Sequence, residues 1–411
     1  MMPARNLMER DLFPASAESG VRILRTVRDV SANATEWRGL ETTPATYLDG
    51  YLGGLDHDGA ARPFAMLVGP EGAATALAAG RYEERRRPLR LGYWRFLGPR
   101  ARCLTFEPGA IVGDLSREQS ATIVRALYTA LERGEADMAL VRELRLDAPL
   151  FEALSSFPAP RFRDRNPVVN VRWMIEFPES PEAPLAMSAH TRKHLRYYTN
   201  RLQRKYGDRL RVESWTRPAD LARLMADAEA VARTTYQRKI GVGFRDDVAA
   251  RARIRLEMER GFFRSYLVYL DGRPGAFWMG SRFGDTYYSG DTGYDPALRV
   301  DRVGELLLAR MLEALRKEAG LRWFDFGFGD SDYKRRYSTH SFEEATVAMF
   351  APTARGALLN VAQSTVRGVN RAVKSTAERL ELLDWIRSRL RRRWAKTASA
   401  DRSPLEPEEA M

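Results

Sequence analysis

Two short stretches of this 411-residue chain carry residue types at spacings that can do chemistry. In the first, Arg299, Arg302 and Gly304 stand in an R-x-x-R-x-G spacing at the head of an apolar helical pattern that begins at Val303. Glycine lets backbone N–H groups converge and a helix start adds partial positive charge, so Arg299, Arg302, Val303, Gly304 and Glu305 make a turn that suits a pyrophosphate. Turns of this kind also simply cap helices. The second stretch runs from Phe324 to Ser338. Its period of two puts Phe324, Phe326 and Phe328 on one side of a strand and Asp325, Gly327 and Gly329 on the other. It then breaks into Asp330, Asp332, Tyr333 and Lys334, a charged loop directly after a strand able to bury three rings.

Other chemistries are poorly supplied. There is one cysteine, Cys103, and four histidines, His57, His190, His194 and His340. With no Cys-x-x-Cys, and with His190 and His194 alone on one face of a basic helix, neither a disulfide framework nor a metal site is expected. The net charge of +12 points to an anionic partner, whether a nucleotide-like cofactor, RNA or a membrane surface. Much of the excess sits between Arg355 and Lys396, where eleven basic residues face three acidic ones. No apolar run approaches the length of a membrane span, and the opening residues lack the apolar core of a secretory signal. The expectation is a soluble cytoplasmic protein.

These residues need elements to position them. At 44% hydrophobic the chain is long enough for two domains, and its pattern is α/β. Strands are expected at 63–68, 92–98, 109–115 and 136–144, with a helix from Arg117 to Arg133 closed by Gly134. The proline-flanked stretch 157–167 reads as a boundary before a strand at 168–177. A basic helix over 188–206, a strand at 209–215, helices over 218–237 and 246–260, and a three-strand meander follow. The helix from Val303 to Lys317 then leads into the Phe324 strand. The segments 123–144 and 307–328 align helix on helix and strand on strand, which a duplicated unit explains. The expected organisation is an unstructured 1–20, a first unit 21–160, a second 161–352, a basic amphipathic helical tail 353–396 and an acidic end 397–411.

Three antiparallel strands, an Arg/Gly turn, a helix and another strand resemble the GNAT (N-acetyltransferase) fold, whose turn pattern is Q/R-x-x-G-x-G/A. Arg302 stands here where the first glycine is expected, and its side chain can substitute for a lost backbone donor. Phe324, Asp325, Gly329, Asp330, Tyr333, Lys334 and Arg335 resemble the F-D-x-x-x-G-D-x-x-Y-K-R segment of CelD/BcsL-type acyltransferases, relatives of the FemAB peptidyltransferases. The helix at 188–206 resembles the basic helix of the same group. The resemblance implies tandem GNAT-like domains, each a mixed and largely antiparallel sheet flanked by helices, the first of them degenerate and walling the acceptor cleft.

It further implies an acyl-CoA co-substrate, in the simplest case acetyl-CoA, whose pantetheine arm enters between two splayed strands. Gly290 and Gly293 on one strand and Gly327 and Gly329 on the other would give clearance. Backbone donors are then expected around Ser289, Gly290 and Asp291. Asp330 is the expected base, Lys334 an electrostatic clamp and Tyr333 their neighbour at the mouth, while a structural Asp330 pair with Lys334 or Arg335 is the plainer alternative. Asp325, Arg192, Tyr236 and Lys239 are placed with the acceptor; Tyr236 and Lys239 read equally as a glycine-capped helix end. The implied reaction is direct acyl transfer to an amine or hydroxyl of a small molecule, sugar or cell-envelope precursor. Aminoacyl-tRNA as donor, or a non-catalytic protein of envelope assembly, are the alternatives. The basic tail adds an anionic membrane surface as a peripheral partner.

Overall fold

The computed structural model describes residues 20–379 apart from 58, 87–88, 92–93, 97, 158, 181 and 240–242. Of the expected segments, 1–19 of the unstructured opening, the tail beyond 379 and the acidic end 397–411 lie outside the described residues. The first half runs β1 (Val21–Leu24), α1 (Val27–Ala32), α2 (Ala34–Arg38), α3 (Leu48–His57), β2 (Arg62–Val68), β3 (Ala76–Arg86), the hairpin β4 (Leu89–Leu91) and β5 (Trp94–Phe96), β6 (Arg100–Gly113), α4 (Arg117–Glu132), β7 (Met138–Arg145) and α5 (Pro149–Ser156). The second runs β8 (Val168–Glu176), α6 (Ala189–Tyr206), β9 (Leu210–Ser214), α7 (Leu221–Thr234), α8 (Tyr236–Lys239), α9 (Val248–Glu259), β10 (Phe263–Leu270), β11 (Arg273–Phe283) and β12 (Thr286–Tyr294). It continues with α10 (Val303–Leu315), β13 (Trp323–Phe328), α11 (Asp332–Tyr337), β14 (His340–Phe350) and α12 (Ala354–Arg379).

Twelve strands form one mixed sheet in the order β1-β2-β3-β6-β7-β14-β8-β13-β12-β11-β10-β9. All neighbours are antiparallel except β6 with β7 and β12 with β13. Each parallel pair is joined by a crossover helix, α4 or α10, as parallel strands require. The same β-α-β unit therefore occurs twice, mirrored about the central strands β14 and β8. The sheet crosses from one half to the other because β14, late in the chain, pairs with β7 on one side and β8 on the other.

The helices form where the sequence pattern places them. Ser116 accepts from Gln119 N–H while the Gln119 side chain caps Ser116 N–H, so α4 starts with a reciprocal cap and then buries Ile123, Val124, Leu127 and Leu131. α10 buries Val303, Leu307, Met311 and Leu315 against the sheet face that carries Tyr287, Phe324 and Phe326. The helix expected over 218–237 breaks instead at Thr235, whose hydroxyl donates to Ala232 O at 2.7 Å. β1, β3, β14 and α1–α3 were not expected. β3 is rich in alanine and arginine, which hides its period, and it is defined by its ladders to β2 and β6. α12 packs Leu359 with Ala101, Cys103, Met138 and Leu140 of the first half, and Asn360 Nδ2 donates to the carbonyls of Arg161 at 2.8 Å and Arg163 at 3.0 Å in the stretch between the halves. Among the described residues no helix is long and apolar enough to cross a membrane.

Phe324 is fully buried and stacks on Tyr287 with ring centroids 5.0 Å apart. Phe324→Ala is expected to lower the unfolding free energy by about 3–5 kcal/mol in urea titration. A loss below about 1 kcal/mol would mean that β13 is not anchored by this face.

Candidate active site

β12 and β13 share only three paired positions, Thr286 with Trp323, Tyr287 with Phe324 and Tyr288 with Asp325. Beyond them the strands part. β13 remains paired to β8 as far as Phe328 opposite Arg172, through a bulge in which Phe326 and Gly327 face a single residue. Gly327 takes φ +71° there, a left-handed conformation open to glycine without strain. β12 follows β11 instead, with its own bulge at Gly290 and Asp291 opposite Met279. Bulges of this kind turn backbone groups out of the ladder. A cavity of about 520 Å³ opens where the strands diverge, lined by Ser289, Gly290 and Thr292 from β12 and by Phe326, Gly327 and Phe328 from β13. Thr43, Pro44, Pro108, Gly109 and Glu143 of the first half close its other side.

Its floor is a buried charge cluster. Arg172 on β8 donates from Nε to both Asp325 oxygens, at 3.0 and 2.9 Å, and from a terminal nitrogen to the same carboxylate. Its other terminal nitrogen reaches Glu344 Oε2 at 3.0 Å and Glu143 Oε2 at 3.3 Å. One guanidinium thus serves three carboxylates, and two of them, Glu344 and Glu143, titrate above the ordinary range. Burial pushes Glu344 up to about 7 against the pull of Arg172, and burial likewise raises Glu143. Glu143 sits at φ +53°, the same position in the first unit that Gly327 takes in the second. Lys334 lines the cavity and is buried, its Nζ donating to the carbonyls of Gly327 at 3.1 Å and Phe328 at 3.3 Å. Burial lowers its pKa, so its ammonium gives up a proton more readily than an exposed lysine does.

The start of α10 lies at the end of β12. Its N-cap is Arg302, in the left-handed region at φ 53° and ψ 40°, with no side-chain cap. The backbone shape of the missing glycine is therefore kept by an arginine. The Arg302 guanidinium reaches Glu305 Oε1 at 2.7 Å and lies 4.6 Å from the Tyr198 ring centroid. α4, the equivalent helix of the first half, is closed by Ser116 and Gln119. Only α10 of the two crossover helices keeps its first-turn amides clear of its own N-cap side chain.

Residues 189–335 match a family model described as an acetyltransferase (GNAT) domain. No curated protein matches the chain. Among solved structures it is similar to L-PGS from Bacillus licheniformis, at 14% identity and TM-score 0.45, covering 81% of this chain and 96% of that one. It is similar to FemX at 11% identity and TM-score 0.47, covering 70% and 88%. A tandem GNAT protein from the clavulanic acid biosynthesis pathway aligns at 12% identity and TM-score 0.42, covering 81% and 99%. The stretch of the second half that resembles a GNAT domain therefore lies within a mixed α/β fold.

Around this cavity the expected residues divide. Ser289, Gly290, Tyr333, Lys334 and Asp325 line the cavity. Ser289 Oγ accepts from Trp278 Nε1 at 2.9 Å, and Asp325 is committed to Arg172 instead of being free for a substrate. Asp330 is a correction. It is exposed, outside the cavity lining, and accepts from Trp173 Nε1 at 3.1 Å and from Arg335 at 2.8 Å, the structural pair that short loops of alternating charge form. Asp291 turns to Arg253 at 3.6 Å, Val303 is buried in the core, and Arg192 is exposed with its guanidinium on Met187 O. None of the three side chains reaches the cavity. Arg299 is exposed in the turn before Arg302, and Glu305 lies 2.7 Å from the Arg302 guanidinium there. Tyr236 and Lys239 lie on α8, and their side chains are outside the described residues. Of the two adjacent tyrosines Tyr287 enters the core and Tyr288 the cavity, on opposite faces as alternation requires.

Arg172, Glu143 and Glu344 were missed. An arginine in the middle of the largely apolar strand 168–176 is the one available cue, since its neighbours in space lie more than 25 residues away. Among the described residues no group of His, Cys, Asp and Glu could hold a metal ion.

Two outcomes follow from the cluster. Arg172→Met leaves three buried carboxylates without their cation and should destabilise by about 3–5 kcal/mol in denaturant titration. Glu344 is held near 7 against an ordinary 4.5, so the folded chain retains a proton that the unfolded chain gives up, and stability falls as pH rises from about 4.5 to about 7. Glu344→Gln removes that loss: its melting temperature should change less than the wild type's between about pH 5 and pH 8. Parallel pH profiles would exclude Glu344 as the titrating group.

Proposed function

We propose that this protein is an acyltransferase that takes its acyl group from an acyl-CoA and passes it directly to an amine or hydroxyl of a small-molecule or glycan-precursor acceptor. The observation that carries the reading is the parting of β12 and β13 after Tyr288 and Asp325, over a cavity that both strands line. Residues present fit the donor: the Gly290 bulge offers unladdered backbone beside the gap, and the uncapped start of α10 with Arg302 offers donors for phosphate.

The thioester supplies an activated acyl carbon with a thiolate leaving group. Transfer then needs a base for the acceptor's proton and donors for the developing oxyanion. Glu143 takes the place first given to Asp330. It lines the cavity, burial raises its pKa, and a single 3.3 Å contact from Arg172 holds it. It accepts the proton as the nucleophile bonds to the acyl carbon and the C–S bond breaks. Lys334, oriented by two carbonyls, stands with Arg172 in the cavity lining as a cation for developing charge, and the backbone at Ser289 and Gly290 supplies N–H donors. The wall from Thr43 to Pro44 and from Pro108 to Gly109 gives the first half its part in shaping the acceptor side.

Saturating acetyl-CoA, at about 100 times its dissociation constant, should stabilise the protein by roughly 2.7 kcal/mol, read as a rise in melting temperature. Charged tRNA stabilising while acyl-CoA does not would replace this donor with an aminoacyl one. Once an acceptor is in hand, Glu143→Gln should lower kcat by about 10²–10⁴. Asp330→Asn should stay within severalfold of wild type; the reverse ranking would return the base to Asp330.

A further inference from the structure

The first turn of α10 is surrounded by two guanidiniums and an imidazole from three elements, and all of them converge on one carboxylate. Glu305 Oε1 is 2.7 Å from Arg302 at the N-cap and 3.5 Å from Arg336 on α11. Its Oε2 is 3.3 Å from His194 Nδ1 on α6. Oε2 and Nδ1 are both buried atoms without a hydrogen-bond partner, so the contact leaves polar capacity unmet on either side. Glu305 itself remains about one-fifth exposed, so an incoming group can reach it. A helix start, two guanidiniums and an imidazole around a single anion is a stronger anion site than one carboxylate satisfies, because a phosphate brings more charge and more acceptor oxygens.

We propose that Glu305 is a built-in competitor, its carboxylate standing where a phosphate of the ligand's diphosphate binds, and that the ligand takes over Arg302, Arg336 and His194 from it. The donor site then extends beyond the turn, with His194 from α6 and Arg336 from α11 as phosphate ligands. Displacement of Glu305 links ligand binding to the packing of α6 and α11 on α10. Identifying the diphosphate with that of an acyl-CoA rests on the function proposed above; the competition does not.

The test is isothermal titration calorimetry of the full chain with coenzyme A and, separately, with inorganic pyrophosphate. Glu305→Gln and Glu305→Ala should each bind both probes about tenfold more tightly than wild type, and Arg336→Ala about tenfold more weakly, the scale of one charge-assisted contact. Two Glu305 variants are used so that a folding defect in one leaves the other to decide. Unchanged or weakened affinity in a folded Glu305 variant overturns the proposal, as does failure of pyrophosphate to bind any form. Pyrophosphate affinity that responds to Glu305 while coenzyme A binds no form upholds the competition and removes the acyl-CoA reading. Coenzyme A binding that ignores Glu305 does the opposite.

Discussion

A guanidinium buried at the centre of the sheet decides which neighbour β13 follows. Arg172 binds Asp325 through Nε and one terminal nitrogen and continues from its other terminal nitrogen to Glu344 on β14 and Glu143 on β7. β13 is thereby tied to β8 beyond the point at which it leaves β12. Taking such charges out of water is costly, and mutual pairing returns the cost only where geometry and hydrogen bonding are nearly complete. Asp325 and Glu344 meet that condition more fully than Glu143, whose one long contact leaves it the least satisfied member. The cluster therefore does two things at once: it holds a strand away from its parallel partner, and it leaves one carboxylate of raised pKa at the edge of the gap.

Two β-α-β units with the same topology have diverged at their helix starts. In the first, Ser116 and Gln119 satisfy the opening amides of α4. In the second, Arg302 adopts a left-handed backbone that costs an ordinary side chain about 1–2 kcal/mol, and it caps nothing with its side chain. Strain retained at a helix start, where a serine cap would remove it, fits a position kept for binding an external group. The two left-handed residues beyond the parallel pairs, Glu143 and Gly327, show a parallel divergence. A carboxylate and a bare backbone occupy equivalent places on opposite sides of one cavity.

Much of the architecture was legible because it is written in local periodicity. Ser116 and Gln119 mark the start of α4, the apolar face from Val303 to Leu315 marks α10, and the alternation of Phe324, Phe326 and Phe328 marks β13 and its core face. The turn at Arg302 and the placement of Tyr333 and Lys334 beside the gap were legible through motif spacing. Asp330 was not: whether an aspartate in a charged loop faces a cavity or its own Arg335 depends on χ angles and on Trp173, a residue on another strand. β3 and β14 were missed because alanine-rich and glutamate-bearing strands lose their alternation once both faces are covered.

By itself the sequence determined most of the second half's elements, the helix–strand echo between the halves and the chemistry available at the end of β12, because capping, period and spacing act within a few residues. Only the tertiary structure decided that β14 would bridge the halves and that Arg172 would gather carboxylates from three other strands. It also decided that Glu143, not Asp330, would line the gap. Those outcomes depend on which strands become neighbours, a property of long-range pairing that local pattern does not encode.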